Sequence, residues 1–326
     1  MPEPLVNPPL SRELLAARVL VLGGGYTGRR FAQALHFQGV PVTLTHRRVP
    51  QEPPEGAEAL PCLRFDAGGD AVPTRAELAG TTHVLVTIPP DEAGQDPVLQ
   101  RLAGALAELP LEWIGYLSTT GVYGDRGGGW VDETTPTAPG LERSMARLGC
   151  ELAWRSTGLP VQVFRLPAIY GPDRIPFESL RTGTARLIHK PAQVFSRIHV
   201  DDLVGALLHC LALPAAERPP VLILADEAPC PSSETLGYAA HLLDCKLPEV
   251  QKYADIAPGM SPMARSFWSE NRRACSLLLR EKLGYRLLYP TYREGYRACL
   301  SSGGLSLASR SVRNGSGPER SGMLRS

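Results

Sequence analysis

Glycine residues recur at a spacing that suits close contact with a phosphate in the segment GGGYTG, which begins at Gly23. An apolar run, VLVL, directly precedes this segment, and a helical pattern follows it. In such a unit Gly23 permits a tight turn, Gly25 lets a pyrophosphate approach the backbone, and Gly28 lets the helix pack on the strand. Backbone amides of Tyr26 and Thr27 would meet the phosphate oxygens. The segment therefore predicts a dinucleotide-binding loop, against the simpler alternative of a glycine-rich turn.

The end of the second apolar run indicates which dinucleotide is bound. The segment VTLT is followed by His46, Arg47 and Arg48, and no acid occurs before Glu52. An acid at this point would bind the ribose 2′-hydroxyl of NAD, whereas guanidinium groups suit the 2′-phosphate of NADP. We therefore favour NADP, with NAD or a solvated turn as alternatives. Asp66, after the third strand, would reach the adenine amine or lie in an exposed loop.

Short apolar runs alternate with helical patterns up to about residue 226, which is typical of a Rossmann-type, doubly wound parallel sheet of the α/β class. A helix follows the glycine loop and ends at Gly39, and a later one presents Met145, Leu148 and Leu152 as its apolar face. A further amphipathic segment spans residues 99–106. Strands are predicted at residues 18–22, 40–44, 83–87, 113–117, 161–164 and 221–224, with a weaker one near 59–62.

The pattern changes after residue 226. We predict an NAD(P)-binding domain over residues 1–226 and a small α-rich lobe over residues 227–300. Helices are expected in this lobe at residues 233–243 and 272–283. The final segment, 301–326, is rich in Ser, Gly and Arg and is predicted to be a disordered tail.

Bulk composition narrows the class of protein. The chain has 326 residues, 43% of them hydrophobic, and a formal net charge of +1, so no global field would attract nucleic acid or anionic lipid. The seven cysteines show neither a disulfide framework nor a zinc-site spacing, and no metal is predicted. Neither a signal pattern nor a run of the roughly 20 apolar residues needed to span a bilayer is present. We predict a cytoplasmic location.

Three further segments occur in a recognisable order. They are YLSTTGVYG at residues 116–124, RLPAIYGP at 165–172 and RIHVDDL at 197–203. Together with the glycine loop, they resemble the extended short-chain dehydrogenase/reductase superfamily, in its NAD-dependent epimerase/dehydratase family, over roughly residues 18–297. The resemblance implies a cofactor on the large domain, with Pro167 beside it. It further implies a substrate, often nucleotide-linked, between the lobes and a homodimer built through helices that flank the sheet.

The family's catalytic unit combines a Ser or Thr after the fifth strand with a YxxxK pair on the next helix. Thr119 matches the hydroxyl position. Aligned on Glu151, which resembles the family's helix glutamate, Arg147 falls at the lysine position and Arg143 at the tyrosine position. Arginine stays protonated, so Arg143 cannot act as the general acid or base. The pattern resembles atypical members that keep the cofactor site and lack the YxxxK pair.

A second departure concerns elimination chemistry. Family dehydratases carry an Asp-Glu pair where this chain has Thr120 and Gly121, so sugar 4,6-dehydratase activity is not expected. Arg143, Arg147 and Glu151 are four residues apart and form one helix stripe, which is either a solvated face or an anion site in the cleft. Arg165, Arg174, Arg197, Arg272 and Arg273 are further candidates for that anion site.

Other polar side chains in these motifs could serve either the site or the framework. Tyr123 would supply a phenol to the pocket or, as we favour, pack in the core; Tyr170 is similarly structural. His199 would line the cleft or fix two segments by hydrogen bonds. Asp201 or Asp202 is predicted to cap a helix.

Two functions remain open from the sequence. The first is an NADP-linked oxidoreductase or epimerase acting on a phosphorylated or nucleotide-linked small molecule, with Thr119 orienting the reacting oxygen. The second is a non-catalytic cofactor-binding protein, such as a redox sensor or an assembly partner.

Overall fold

The computed structural model describes residues 12–48 and 59–311. Glu52 and residues 312–326 of the predicted tail lie outside that range. The strands are β1 (Val19–Leu22), β2 (Val42–His46), β3 (Cys62–Arg64), β4 (His83–Val86), β5 (Trp113–Thr119), β6 (Trp130–Val131), β7 (Val161–Leu166), β8 (Ala168–Tyr170), β9 (Leu187–His189), β10 (Arg197–His199), β11 (Val221–Ile223), β12 (Val250–Lys252) and β13 (Arg273–Ala274). The α-helices are α1 (Arg12–Leu15), α2 (Tyr26–Phe37), α3 (Arg75–Leu78), α4 (Pro97–Ala107), α5 (Glu142–Arg155), α6 (Phe177–Arg181), α7 (Val200–Ala212), α8 (Ser232–Leu242), α9 (Tyr253–Ile256), α10 (Pro262–Ser266) and α11 (Tyr292–Ser311).

Seven strands form the central parallel sheet, in the order β11-β7-β5-β4-β1-β2-β3. The chain builds the sheet outward from β1 through β2 and β3, then returns to β4 beside β1 and builds outward on the other side. The carboxyl ends of β1 and β4 therefore flank the switch point at which ligands bind in open α/β sheets. The predicted Rossmann-type, doubly wound fold is confirmed.

Helices cover both faces of this sheet. Every residue of β1 and β4 is buried, which explains why these strands are continuous apolar runs. On one face Phe31 and Leu35 of α2 pack with α7, and on the other Leu102 of α4 packs with Trp154 of α5. The six predicted main strands are present, and the weaker one lies at β3. Gly39, with φ of +81°, follows the end of α2 as expected.

The predicted apolar face of α5 was wrong. Met145 and Leu152 are 49% and 54% exposed, and Leu148 is half-buried. The helix instead turns Glu151 and Trp154 toward the sheet. Apolar periodicity misled here because a buried ion pair, described below, takes the place of an apolar side chain.

The region after residue 226 contains both expected and unexpected elements. Helix α8 matches the helix predicted at 233–243, whereas the helix predicted at 272–283 was wrong. Residues 273–274 form β13, parallel to β6, because Arg273 N donates to Gly129 O and Cys275 N donates to Val131 O, each at 2.9 Å. A short π-helical turn, Leu278–Lys282, follows.

An apolar cluster outside the sheet combines residues from both sides of the predicted boundary at residue 226. Tyr170, Phe177 and Leu187 form an apolar cluster with side chains of α8 and α11. Helix α11 extends to Ser311 and so includes the first residues of the segment predicted as a tail. Within the described residues, no helix combines the length and the apolar character needed to cross a membrane.

Candidate functional site

The glycine loop lies at the switch point between β1 and β4. Gly23 has φ of +107°, and a Cβ there would lie 2.3 Å from Thr87 Oγ1 on the neighbouring segment. A Cβ on Gly28 would lie 2.1 Å from the Gly23 carbonyl oxygen, so α2 packs on the turn only with glycine there. A Cβ on Gly25, in contrast, would meet no described atom within 4 Å. The loop is thus closed on its protein side and open at Gly25, as contact with a pyrophosphate requires.

The first turn of α2 faces this open position. Gly25 is the N-cap residue and forms no side-chain capping bond, so no side chain caps the first-turn amides of Tyr26 and Thr27. The Tyr26 ring lies between two guanidinium groups, with Arg30 and Arg174 carbons 3.9 and 4.0 Å from its centroid. Its hydroxyl donates to Pro172 O at 2.8 Å, and burial raises the pKa of Tyr26 to about 12. The Tyr26 side chain is therefore engaged within the protein, and a phosphate contact through its backbone amide stays a prediction.

The end of β2 carries a residue that sequence reasoning did not assign a role. His46 lies against the glycine loop, and a Cβ on Gly24 would be 2.1 Å from its Nε2. Burial, and then the charge of Arg29, lower the pKa of His46. Arg47 and Arg48 are exposed directly after it. His46 was quoted in the motif, but a histidine carries no established signal at this position.

Asp66 is half-buried beyond the end of β3, on the same edge of the sheet as the glycine loop. Its backbone amide donates to Ala71 O at 2.8 Å. The predicted contact of Asp66 with adenine stays a prediction.

A cavity of about 500 Å³ opens at the carboxyl ends of β4, β5 and β7, between the sheet and residues 194–196 and 266–272. Loops that follow the three strands form one wall, the first half of α5 forms another, and residues 194–196 and 266–272 close the third side. The cavity is lined by Pro89, Pro90, Asp91, Thr119, Thr120, Gly121, Arg143, Ser144, Ala146, Arg147, Pro167, Ala168, Val194, Phe195, Ser196, Ser266, Phe267, Glu270 and Arg272.

Three predicted residues line this cavity at the sheet edge. Thr119 is half-buried, and its Oγ1 accepts from Gly121 N at 3.0 Å. Arg147 is half-buried, and its Nη1 donates to Leu117 O at 3.0 Å and to the Tyr116 hydroxyl at 3.2 Å. Pro167 adds an apolar surface beside them. The cavity thus joins a hydroxyl group and a fixed positive charge.

Arg143 has a different setting although it stands on the same helix. It is exposed, its guanidinium binds Ser266 Oγ, and its Cζ lies 4.8 Å from the Phe267 ring centroid. Arg143 therefore connects α5 with α10 across the cavity mouth. The stripe of Arg143, Arg147 and Glu151 is thus not a uniformly solvated face, and both of its arginines line the cavity. It has an exposed, a half-buried and a buried member.

Glu151 forms the buried end of that stripe. Arg165 Nη2 lies 2.8 Å from its Oε2, and the Ser118 hydroxyl donates to its other oxygen. Arg165 Nη1 also donates to the Tyr123 hydroxyl at 3.0 Å. Tyr123 is fully buried and does not line the cavity, so its assignment as a catalytic phenol is corrected in favour of the packing interpretation.

The other candidates serve the framework. His199 is the N-cap of α7, and its Nδ1 accepts from Asp201 N at 3.2 Å, so the predicted Asp cap was wrong. Burial lowers the pKa of His199 to about 4. Asp202 accepts from Leu288 N at 2.7 Å and Tyr289 N at 2.9 Å, which ties α7 to the smaller lobe.

Of the additional arginines, only Arg272 lines the cavity. Arg165 and Arg197 are buried and bonded within the core, while Arg174 stacks on Tyr26. Arg273 binds the Gly128 carbonyl oxygen. These arginines are far apart in the sequence, so the sequence did not indicate which of them reach the cavity.

Glu270 is a cavity residue that sequence reasoning missed. It stands in the motif ENRR, whose arginines drew attention instead. Its Oε2 lies 2.7 Å from Arg272 Nη1, its side chain is 8% exposed, and its Oε1 is buried with no hydrogen-bond partner among the described residues.

Comparison with known proteins adds to this geometry. No protein-family model and no curated protein sequence matches the chain. A functionally unknown conserved protein from Silicibacter pomeroyi, with a solved structure, is 40% identical; the match covers 88% of this chain and 99% of that one, with a TM-score of 0.78. The chain belongs to the family of the Silicibacter protein.

More distant structures define the fold. A protein from Methylobacillus flagellatus, described as a putative NAD-dependent epimerase/dehydratase, is 23% identical; the match covers 88% of this chain and 99% of that one, with a TM-score of 0.68. UDP-glucuronic acid 4-epimerase from Bacillus cereus, solved with NAD, is 16% identical and covers 87% and 96%, with a TM-score of 0.69. This chain therefore shares the fold of these two proteins.

Proposed function

We propose that this protein is an NADP-linked oxidoreductase or epimerase that acts on a phosphorylated or nucleotide-linked small molecule. The observation that carries the proposal is the continuity between the glycine loop and the arginine-bearing cavity. Thr87, which contacts the loop at Gly23, leads directly into Pro89, Pro90 and Asp91 of the cavity wall. A dinucleotide whose pyrophosphate lies on the loop would extend into the cavity.

The residues fit such a cofactor. Gly25 leaves space at the loop, and α2 begins without a side-chain cap that would compete for its amides. A bound nicotinamide would supply or accept hydride. Thr119 would orient the reacting oxygen of the substrate, and Arg147, fixed by Leu117 O, would hold a ribose or a phosphate.

The preference for NADP is supported at the end of β2. The residue there is His46 rather than an acid, and Arg29 lies close enough to lower its pKa. Arg47 and Arg48 are exposed beside it and free to approach a 2′-phosphate in charge and in fork geometry. NAD, which the Bacillus cereus enzyme binds in its crystal, is the alternative.

Calorimetric titration of the protein with NADPH and NADH tests this preference. We expect NADPH to bind at least about tenfold more tightly, and the double variant Arg47→Asp, Arg48→Ala to remove most of that difference. Undiminished NADPH binding in the double variant would contradict it. An Arg155→Ala variant, changed at an exposed arginine far from β2, serves as the control.

An anionic substrate is supported by the three arginines of the cavity. Arg143 lies at its mouth, Arg147 at the sheet edge and Arg272 on the smaller lobe. A phosphate or diphosphate placed between the lobes would meet guanidinium groups from both sides.

One observation favours the second, non-catalytic function. Arg143, at the position of the family's tyrosine, is engaged with Ser266 and Phe267 of the smaller lobe. A turnover assay separates the enzymatic from the non-catalytic function. The protein is mixed with NADP⁺ and a panel of nucleotide sugars and sugar phosphates. The reaction is followed at the nicotinamide absorbance and by NMR of the sugar. Tight NADPH binding without turnover of any panel member would favour the non-catalytic function.

A further inference from the structure

A reaction that interconverts an alcohol and a carbonyl needs a group that takes up and returns a proton. The helix position that usually supplies it holds Arg143, and Arg147 follows one turn later; neither guanidinium gives up its proton. Tyr123 is buried outside the cavity. Among the described residues that line the cavity, the side chains that carry a carboxyl group, and so can take up and return a proton, are Asp91 and Glu270.

These two carboxyl groups differ in their surroundings. Asp91 is exposed, and its Oδ1 accepts from Gln95 N at 2.8 Å, which closes a surface turn. Glu270 is 8% exposed, and its Oε2 is held 2.7 Å from Arg272 Nη1. Its Oε1 is buried and without a hydrogen-bond partner among the described residues. A buried carboxyl oxygen left without a donor is costly, and a substrate hydroxyl would satisfy it.

The position of Glu270 also suits the uptake and return of a proton. Arg272, its partner, also donates to Gly124 O at 2.8 Å, at the end of the turn that follows β5. A Cβ on Gly140 would lie 3.4 Å from Glu270 Oε1, and Gly140 stands two residues before α5 begins. The free oxygen therefore lies beside the helix start whose first turn carries Arg143.

We propose that Glu270 is the proton-transfer residue of this site, in place of the absent tyrosine. In oxidation, the O–H bond of the substrate hydroxyl breaks and its proton passes to Glu270 Oε1. The electron pair of that bond forms the carbonyl bond, while the adjacent C–H bond breaks and its pair leaves as hydride to the oxidised nicotinamide. The substrate loses two electrons and the nicotinamide gains them; reduction reverses each transfer. Arg272 holds Oε2 and leaves Oε1 unpaired for this transfer.

This inference rests on the proposed function, and kinetics with NADP⁺ test both. The probes are UDP-glucose, UDP-glucuronic acid and glucose 6-phosphate. We expect Glu270→Gln, which keeps the shape, to lower the rate constant at saturating probe by about a hundredfold or more with little change in KM. Glu270→Asp should recover part of the rate, and Glu249→Gln, at an exposed position, should match the wild type.

Binding provides a readout apart from turnover. In calorimetry, Glu270→Ala should weaken the best-reacting of these probes about tenfold, because a hydrogen bond to a charged group is lost, and should leave NADPH affinity unchanged. A Glu270→Gln rate within tenfold of the wild type overturns the inference while the proposed function stands. Wild-type protein that binds NADPH but converts none of the probes overturns the enzymatic function and this inference together.

Discussion

Arg165 on β7 and Glu151 on α5 form a buried ion pair, with Arg165 Nη2 2.8 Å from Glu151 Oε2. The Ser118 hydroxyl donates to the same carboxylate, and the Tyr123 hydroxyl accepts from the guanidinium. This network fixes α5 against the end of the sheet. Since Arg143 and Arg147 stand on α5, the pair positions one wall of the cavity.

Removal of the carboxylate should destabilise the protein strongly. Glu151→Ala leaves the Arg165 charge buried and uncompensated, so we expect the free energy of unfolding to fall by about 3–5 kcal/mol. Urea denaturation followed by circular dichroism measures it. Glu142→Gln, at an exposed position of the same helix, is the control and should change the value by less than about 0.5 kcal/mol. Equal effects of the two variants would contradict the structural role.

Two glycines of the loop should separate binding from folding. Gly25→Ala places a methyl group where no described atom lies within 4 Å, so stability should be retained while NADPH affinity falls about tenfold or more. Gly28→Ala places its methyl group 2.1 Å from Gly23 O, so the variant should unfold at lower temperature. Calorimetric titration and thermal melting measure the two effects. NADPH binding that survives Gly25→Ala would argue against a phosphate at this position.

The Tyr123 hydroxyl should matter for stability and not for ligand binding. Tyr123→Phe removes an acceptor from buried Arg165, at a cost of about 1–3 kcal/mol in the free energy of unfolding. Tyr238→Phe is a matched control, because the buried Tyr238 hydroxyl has no hydrogen-bond partner among the described residues. NADPH affinity, measured by calorimetry, should be the same in both variants. Loss of NADPH or probe binding in Tyr123→Phe alone would restore Tyr123 as a site residue.

Asp226 should make stability depend on pH. Burial raises the pKa of this carboxyl to about 7 from an ordinary value of 3.8, despite the nearby charge of Arg197. Between those values the folded state retains a proton that the unfolded chain has released. The contribution of the Asp226 carboxyl group to the free energy of unfolding therefore declines as the pH rises from about 4 to about 7. Asp226→Asn does not titrate and should gain stability relative to the wild type as the pH rises through this interval. Denaturation curves at pH 5 and pH 8 measure the difference in the free energy of unfolding between Asp226→Asn and the wild type. The same difference at both pH values would contradict the prediction.

Local sequence was sufficient for the elements that build the sheet and the glycine loop. Strands such as β1 and β4 are buried on both faces and so appear as continuous apolar runs, and Gly23, Gly25 and Gly28 stand close together in the chain. Their roles follow from backbone sterics within one turn. The small lobe was predicted less well, because β13 forms only through pairing with distant β6.

Only the tertiary structure decided which charged side chains share a cavity. Arg143, Arg147 and Glu151 are equivalent by helical spacing, yet one contacts the smaller lobe, one the end of β5, and one a buried arginine. The setting of Glu270 depends in the same way on Arg272 and on a helix start more than a hundred residues earlier. Spacing along a chain determines which face a residue occupies, whereas burial and charge pairing depend on the elements that fold against that face.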